Sequence, residues 1–193
     1  MLLLYAIAAG LLVGRLAGGR LDALDRVRFR WWPLALAGLL FQLVLFSGPV
    51  AARIGDAGPA LYVGSTLVVF VVLLANIRLP GFWLLALGAF LNLVAITTNG
   101  GWMPSAPEAW MQLNGVAVVP TEAYTNSALI GPGTAFPALG DIFVLPRPLP
   151  LANVFSIGDL LIAAGAVVFL VRQMRTAPAP AAGSVQTVRT PAG

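Results

Sequence analysis

Two aspartates, Asp141 and Asp159, each follow a glycine in a stretch that is otherwise apolar and rich in proline. Acids are scarce in this sequence, with only 7 Asp and Glu residues among 193. A pair of carboxyl groups can serve as general acid and base, or can hold a divalent cation between them. Nearby polar residues could bind an anion or a carbonyl group. Together with the two aspartates they make up the candidate polar cluster, which consists of Asn99, Asp141, Arg147, Ser156 and Asp159.

The two acids differ in their local surroundings. Ser156 and Asp159 have the spacing of a capping box at the start of an apolar helix, where each side chain bonds the backbone of the other residue. A negative charge in a first turn is also favoured by the helix dipole. Asp159 therefore has a structural explanation. Asp141 lies in a chain that the prolines predict to be extended, so it is the first residue to test for chemistry or polar-ligand binding.

The absent residue types exclude several kinds of chemistry. The sequence has no Cys, no His and no Lys, so every cationic side chain is an arginine. Thiolate nucleophiles, imidazole bases, imidazole metal sites and lysine Schiff bases are therefore excluded for this chain alone. A metal bound here would have to accept oxygen ligands. The sequence implies no cofactor and no metal site, and it assigns no catalytic residue.

The composition predicts a protein embedded in lipid. Hydrophobic residues make up 59% of the chain and charged residues 9%, and the mean hydropathy is +0.91. Soluble domains carry roughly 25% charged residues. Membrane lipids are therefore the expected partners. The net charge of +4 does not predict nucleic-acid binding, because the arginines lie beside apolar segments, as expected of topology signals.

The apolar segments predict an all-α integral membrane fold with five transmembrane helices. A spanning helix needs about 20 mainly apolar residues. The segments that meet this requirement are residues 1–18, 31–50, 59–79, 81–98 and 156–172. Together with an outer loop at 99–155, they form one membrane domain over residues 1–175. Residues 176–193 are rich in Pro and Ala and are predicted to be a disordered cytoplasmic tail.

The arginines predict the orientation of these spans. The first apolar segment has its positive charge after it, unlike a signal peptide, and is therefore expected to be a retained anchor. With the N-terminus outside and the C-terminus in the cytoplasm, most of the arginines are cytoplasmic, as the positive-inside rule requires. Only Arg53 and Arg147 then lie outside, and the cytoplasmic arginines are Arg15, Arg20, Arg26, Arg28, Arg30, Arg78, Arg172, Arg175 and Arg189.

Two amides lie within the predicted spans, Gln42 in the second and Asn92 in the fourth. An unpaired amide in hydrocarbon is costly, so both are expected to face other helices. We interpret them as interhelical contacts in preference to a transport pathway. No charged residue lies at the centre of a span, which argues against a proton relay or an ion-coupled transporter.

Two shorter patterns lie in the loops. The segment from Leu21 to Arg30 predicts a short helix on the inner surface, with an Asp22–Arg26 pair four residues apart. In the outer loop, Ser105 and Glu108 have capping-box spacing, and Gly115 would end the helix that follows. Asn99, with the two glycines after it, predicts a helix stop or, as an alternative, an anion-binding nest.

Three stretches of the outer region resemble a bacterial family of small multi-pass membrane proteins, DUF5317, known as a family of unknown function. They are NGGWMP at 99–104, LGDIFVLP at 139–146 and FSIGDLL at 155–161. The resemblance covers nearly the whole chain apart from the tail. It implies a location in the bacterial plasma membrane and a common role for the three motifs. It implies no activity and no substrate.

Three functions are compatible with these patterns. The favoured one is a non-catalytic membrane protein that binds a ligand or lipid, or serves as a partner subunit, and presents a structured outer loop. The alternative is a membrane-embedded enzyme with a carboxylate site at the outer interface. A small transporter or channel is least favoured, because there is no internal repeat and no charge at the centre of a span.

Overall fold

The protein is mostly helical in a computed structural model that describes residues 2–115 and 126–176. The predicted tail, from residue 177 onward, lies outside these residues. The helices are α1 (Leu2–Leu16), α2 (Trp32–Leu45), α3 (Gly48–Ile54), α4 (Ala57–Ala75), α5 (Phe82–Thr98), α6 (Pro107–Asn114) and α7 (Ile157–Met174). The strands are β1 (Met103–Ser105), β2 (Ser127–Leu129), β3 (Phe143–Leu145) and β4 (Asn153–Phe155).

The five long helices pack in the spatial order α1, α7, α5, α4, α2. Helix α1 runs parallel to α7, since Ala6 packs on the first half of α7 and Gly14 meets Met174 at its end. Helix α5 is antiparallel to α7, and α4 is antiparallel to both α5 and α2. Thus the ends of α1, α4 and α7 lie on the same side of the bundle as the starts of α2 and α5.

Glycines set the close approach of α5 and α7. Gly81 lies against the carbonyl of Gly165, and Gly88 lies against the carbonyl of Gly158. A β-carbon at either α5 position would come within 2.4 Å of the opposing carbonyl oxygen. Both pairs are seven residues apart, so on each helix they lie on one face. Small residues with this spacing let two membrane helices pack backbone to backbone.

The second predicted span, residues 31–50, is wrong as a continuous helix. Helix α2 ends at Leu45, and α3 leaves it at an angle of 81°. Pro49 explains the break: in a continuous helix its ring would clash with the carbonyl of residue 45 and it would offer no N–H. Pro49 instead occupies the first turn of α3, where a missing N–H costs nothing.

Two helices are long and apolar enough to cross a membrane. They are α4, with 19 residues, and α7, with 18, and the bent α2–α3 pair would be a third if it is counted as one span. Helices α1 and α5 are apolar but shorter, with 15 and 17 residues. The prediction of a helical, membrane-embedded chain is therefore supported at this coarser level.

Helices α5 and α7 are offset from each other along the bundle. Because Gly88 faces Gly158 near the start of α7, the ten further residues of α5 extend about 15 Å beyond that level at a rise of 1.5 Å per residue. At the opposite end, α7 continues about 14 Å past the level of Gly165, where α5 begins. The β3–β4 hairpin leads directly into the start of α7, and the segment after α1 packs against the far end of α7.

The loops contain structure that the helical pattern did not predict. Strands β1 and β2 form a parallel pair, and β3 and β4 form an antiparallel hairpin in which Val144 faces Val154. The segment Leu21–Arg26 is a 3₁₀ helix, not an α-helix. Its Asp22 carboxylate lies 2.9 Å from Arg20 and 3.9 Å from Arg26, so the predicted pair is the weaker of the two.

Helix α6 forms where it was predicted but begins differently. Its N-cap is Ala106, with Pro107 in the first turn, and Gly115 ends it with a positive φ of 74°. The predicted capping box between Ser105 and Glu108 is absent. Ser105 belongs to β1 instead, and its side chain points to Asp141.

Candidate functional site

The start of α7 is held by a four-part hydrogen-bond network. The predicted capping box is present: the Asp159 N–H donates to Ser156 Oγ and the Ser156 N–H donates to the Asp159 carboxylate, both at 3.1 Å. Asn92 of α5 joins this box by donating to Asp159 Oδ1 at 3.0 Å and accepting from Ser156 Oγ at 2.8 Å. The network therefore ties α5 to the first turn of α7.

Asn92 reaches both partners because Gly158 leaves room for it. The amide oxygen of Asn92 lies 1.9 Å from where a β-carbon on Gly158 would be. Gly158 is also the residue whose carbonyl meets Gly88, so one glycine serves both the helix contact and the polar network. The sequence prediction placed Asn92 apart from Ser156 and Asp159, although the three residues form one hydrogen-bond network.

Asp141 is held by its backbone beside β1. Its N–H donates to the Pro104 carbonyl at 2.7 Å, and its own carbonyl accepts from the Ala106 N–H at 3.0 Å. These bonds align the residue in parallel with Ser105, which is fully buried and whose hydroxyl lies 3.4 Å from the Asp141 carboxylate. Only 8% of Asp141 is exposed.

Burial raises the pKa of Asp141 from 3.8 to about 7, and the negative charge of Asp159 acts in the same direction. The hydrogen bond from Ser105 partly opposes this rise. The loop and the helix thus bring the two aspartates within electrostatic reach of each other. A carboxyl group with such a pKa is protonated below neutral pH and exchanges its proton near pH 7, so it can donate that proton in a hydrogen bond or to a bound group.

The other predicted site residues have separate roles. Asn99 forms two bonds of 2.9 Å with the backbone of Ala135, which fixes the far part of the loop to the end of α5. Arg147 is exposed and donates to Asn114 at the end of α6, at 2.8 Å. Neither residue contacts Asp141 or Asp159 through a bond that the structure describes.

The helix stop at Asn99 is confirmed, since α5 ends there and the two following glycines have φ values of 68° and 90°. The second of them, Gly101, lies against the ring of Pro59 on α4, where a β-carbon would not fit. In α2, Gln42 donates to Ser65 at 3.1 Å and to Thr66 at 3.2 Å, both on α4. Each polar helix residue singled out by the sequence therefore contacts a neighbouring helix or loop.

The two partners that the sequence did not predict are Ser105, which bonds Asp141, and Asn92, which bonds Asp159. Ser105 was assigned to a helix cap, and nothing in a three-residue strand marks its bridge to a segment 36 positions away. No three acidic side chains within residues 2–115 and 126–176 converge on a point that could hold a metal ion. The site therefore consists of one buried carboxyl group, one capping carboxylate and the polar groups that hold them.

We expect Asn92→Ala to lower the free energy of unfolding by about 1–2 kcal/mol, because two interhelical bonds are lost and such bonds average about 0.6 kcal/mol in membrane proteins. Thermal unfolding in detergent measures this change. Thr97→Ala is the matched control, because Thr97 lies on the same helix and bonds only its own backbone. Equal stability of the two variants would mean that the network does not join the helices.

Comparison with known proteins gives a relative and a family. The chain is 30% identical over 139 residues to a protein from Thermotoga maritima described as uncharacterized, and the alignment covers 69% of this chain and 76% of the relative. No solved structure matches it. The model of the family of unknown function DUF5317 matches residues 26–171, which include β1, Asp141 and most of α7. The chain therefore belongs to the DUF5317 family of unknown function.

Proposed function

We propose that this protein is an integral protein of the bacterial plasma membrane with five crossing segments, which presents its outer loop as a non-catalytic binding module. The N-terminus lies outside, the C-terminus lies in the cytoplasm, and the bent α2–α3 pair counts as one crossing segment. The shorter apolar helices α1 and α5, with 15 and 17 residues, also count as crossing segments.

The distribution of arginines along the bundle carries this proposal. Eight of them lie at the end where α1, α4 and α7 stop and α2 and α5 start: Arg15, Arg20, Arg26, Arg28, Arg30, Arg78, Arg172 and Arg175. Arg53 and Arg147 lie toward the other end. This is the asymmetry that the positive-inside rule describes. Trp31, Trp32 and Trp83 are exposed at the same end, as tryptophans at a membrane interface are.

A binding role is supported by the way the outer loop is built. Asn99 fixes the loop to the end of α5, Asp141 fixes a later part of the loop to β1, and α6 packs on the β3–β4 hairpin through Ala109, Leu113 and Val154. Ser156 and Asp159 have structural bonds to each other and to Asn92. A rigid loop is suited to presenting a surface, because little conformational entropy is lost on binding.

The topology is testable with single cysteines, because the chain has none of its own. Gly133→Cys in the outer loop should react with a membrane-impermeant maleimide on intact cells. Asp25→Cys, in the 3₁₀ segment, should react only after the cells are broken. Labelling of both on intact cells, or of Asp25→Cys alone, would overturn the proposed orientation.

Native mass spectrometry of the protein released from a mild detergent tests the binding role. We expect a bound lipid or small-molecule mass that persists in the wild type and decreases when the loop is detached by Asn99→Ala. Thr97→Ala is again the control, because it leaves the loop attached. A wild-type protein that carries no bound mass and purifies without a partner subunit would contradict the binding role.

One observation favours the second candidate, a membrane-embedded enzyme. Asp141 is a buried carboxyl group whose pKa of about 7 suits a general acid, since catalytic acids work best with a pKa near the ambient pH. In a deletion strain with a measurable phenotype, Asp141→Asn would then fail to complement although it folds. Full complementation by Asp141→Asn would remove the enzyme hypothesis.

A further inference from the structure

The β3–β4 hairpin has two apolar faces, of which only one is covered. Val144 and Val154 lie on one face and pack against α6. On the opposite face the rings of Phe143 and Phe155 stack with centroids 5.5 Å apart, and Phe143 is 38% exposed. Leu149 and Leu151 in the hairpin tip and Ile142 just before β3 are also exposed.

The hairpin lies beside the starts of α1 and α7. The hydroxyl of Tyr5, in the first turns of α1, donates to the carbonyl of Pro150 at the hairpin tip. Phe155 at the end of β4 is followed directly by Ser156, the N-cap of α7, so the hairpin lies at the level where α7 starts. The start of α7 lies about 15 Å below the outer end of α5, because Gly158 faces Gly88 and α5 continues for ten residues past Gly88.

The backbone of the tip suits surroundings with little water. Pro146, Pro148 and Pro150 carry no N–H, so the tip has few donors to satisfy. The Leu149 N–H donates to the Pro146 carbonyl, and the strands pair with each other. Backbone outside helices and barrels is tolerated at membrane depth only where its polar groups are satisfied. Arg147, the one charge here, reaches Asn114 on α6.

We infer that the hairpin and its tip, residues 142–155, form a re-entrant element in the outer leaflet, whose exposed apolar side chains contact lipid acyl chains. The inference rests on the membrane placement proposed above. The occupant of this surface is lipid because exposed apolar side chains of α5, such as Phe90 two residues after Gly88, lie at the level of the start of α7, and the same bilayer would cover both surfaces.

Spin labels on single cysteines measure this depth in vesicles of phosphatidylethanolamine and phosphatidylglycerol. Phe143→Cys and Leu149→Cys test the hairpin, Leu40→Cys on α2 is the lipid reference, and Gly133→Cys is the water reference. Labels in lipid relax with dissolved oxygen, and labels in water relax with a soluble nickel complex. We expect the hairpin labels to resemble Leu40→Cys and to differ from Gly133→Cys. Leu149→Cys keeps the test valid if Phe143→Cys disturbs the ring stack.

Each other outcome has a defined meaning. If the hairpin labels respond to nickel while the Leu40→Cys label responds to oxygen, the loop is in water and the inference is overturned. Low accessibility of the hairpin labels to both reagents would identify a protein surface as the occupant and would also overturn it. A nickel-responsive Leu40→Cys label would instead overturn the proposed membrane placement.

Discussion

Gly158→Ala is expected to lower the free energy of unfolding by about 3 kcal/mol, and the melting temperature in detergent by about 10 °C. The new β-carbon would lie 1.9 Å from the Asn92 amide oxygen and 2.7 Å from the Gly88 carbonyl oxygen. Either the helices separate or Asn92 moves and loses its bonds to Ser156 and Asp159. Alanine favours helix by about 1 kcal/mol over glycine, so the clash must outweigh a gain.

Gly64→Ala is the matched control. Gly64 lies inside α4, where an added β-carbon would have no other atom within 4 Å, so the same substitution should be neutral or stabilising there. The double variant Gly158→Ala with Asn92→Ala should recover part of the loss, because the closest atom is removed. A Gly158→Ala protein as stable as the wild type would show that α5 and α7 are not in close contact.

The sequence predicted where helices form better than how they end and pack. The starts of α4, α5 and α7 lie within two residues of the predicted spans, because long apolar runs bounded by Pro, Gly or a capping box leave few alternatives. The break at Pro49 was missed because the run of apolar residues continues through it. The offset between α5 and α7 depends on which glycines meet across their interface. One sequence alone carries no direct signal for that pairing.

The candidate site was predictable in its local part only. The capping box at Ser156 is a four-residue pattern, and the structure has it as the spacing indicates. The contacts of Asn92 with α7 and of Ser105 with Asp141 join segments 64 and 36 positions apart, as judged from their hydrogen bonds. Grouping Arg147 with the aspartates relied on proximity in sequence, and its bond to Asn114 places it elsewhere.

Asp141→Asn is expected to stabilise the protein above neutral pH and to make its free energy of unfolding less dependent on pH. Burial and the charge of Asp159 raise the pKa of Asp141 to about 7 in the folded state, against 3.8 for an ordinary aspartate. Below pH 3.8 the carboxyl group is protonated in both the folded and the unfolded state, so it does not lower the free energy of unfolding. As the pH rises toward 7 only the unfolded state ionises, so stability is lost progressively, and above 7 the loss is complete at about 4 kcal/mol.

Asparagine carries no charge and still accepts the Ser105 hydrogen bond, so the variant should escape this loss. Melting temperatures in detergent from pH 5 to pH 9 should diverge, with the variant ahead by about 10 °C at pH 8 and by less at pH 5. Asp25→Asn, an exposed position, should follow the wild type throughout. A variant less stable than the wild type at high pH would mean that the folded protein needs the ionised carboxylate. In that case a bound cation or an arginine partner, and not a retained proton, would neutralise Asp141.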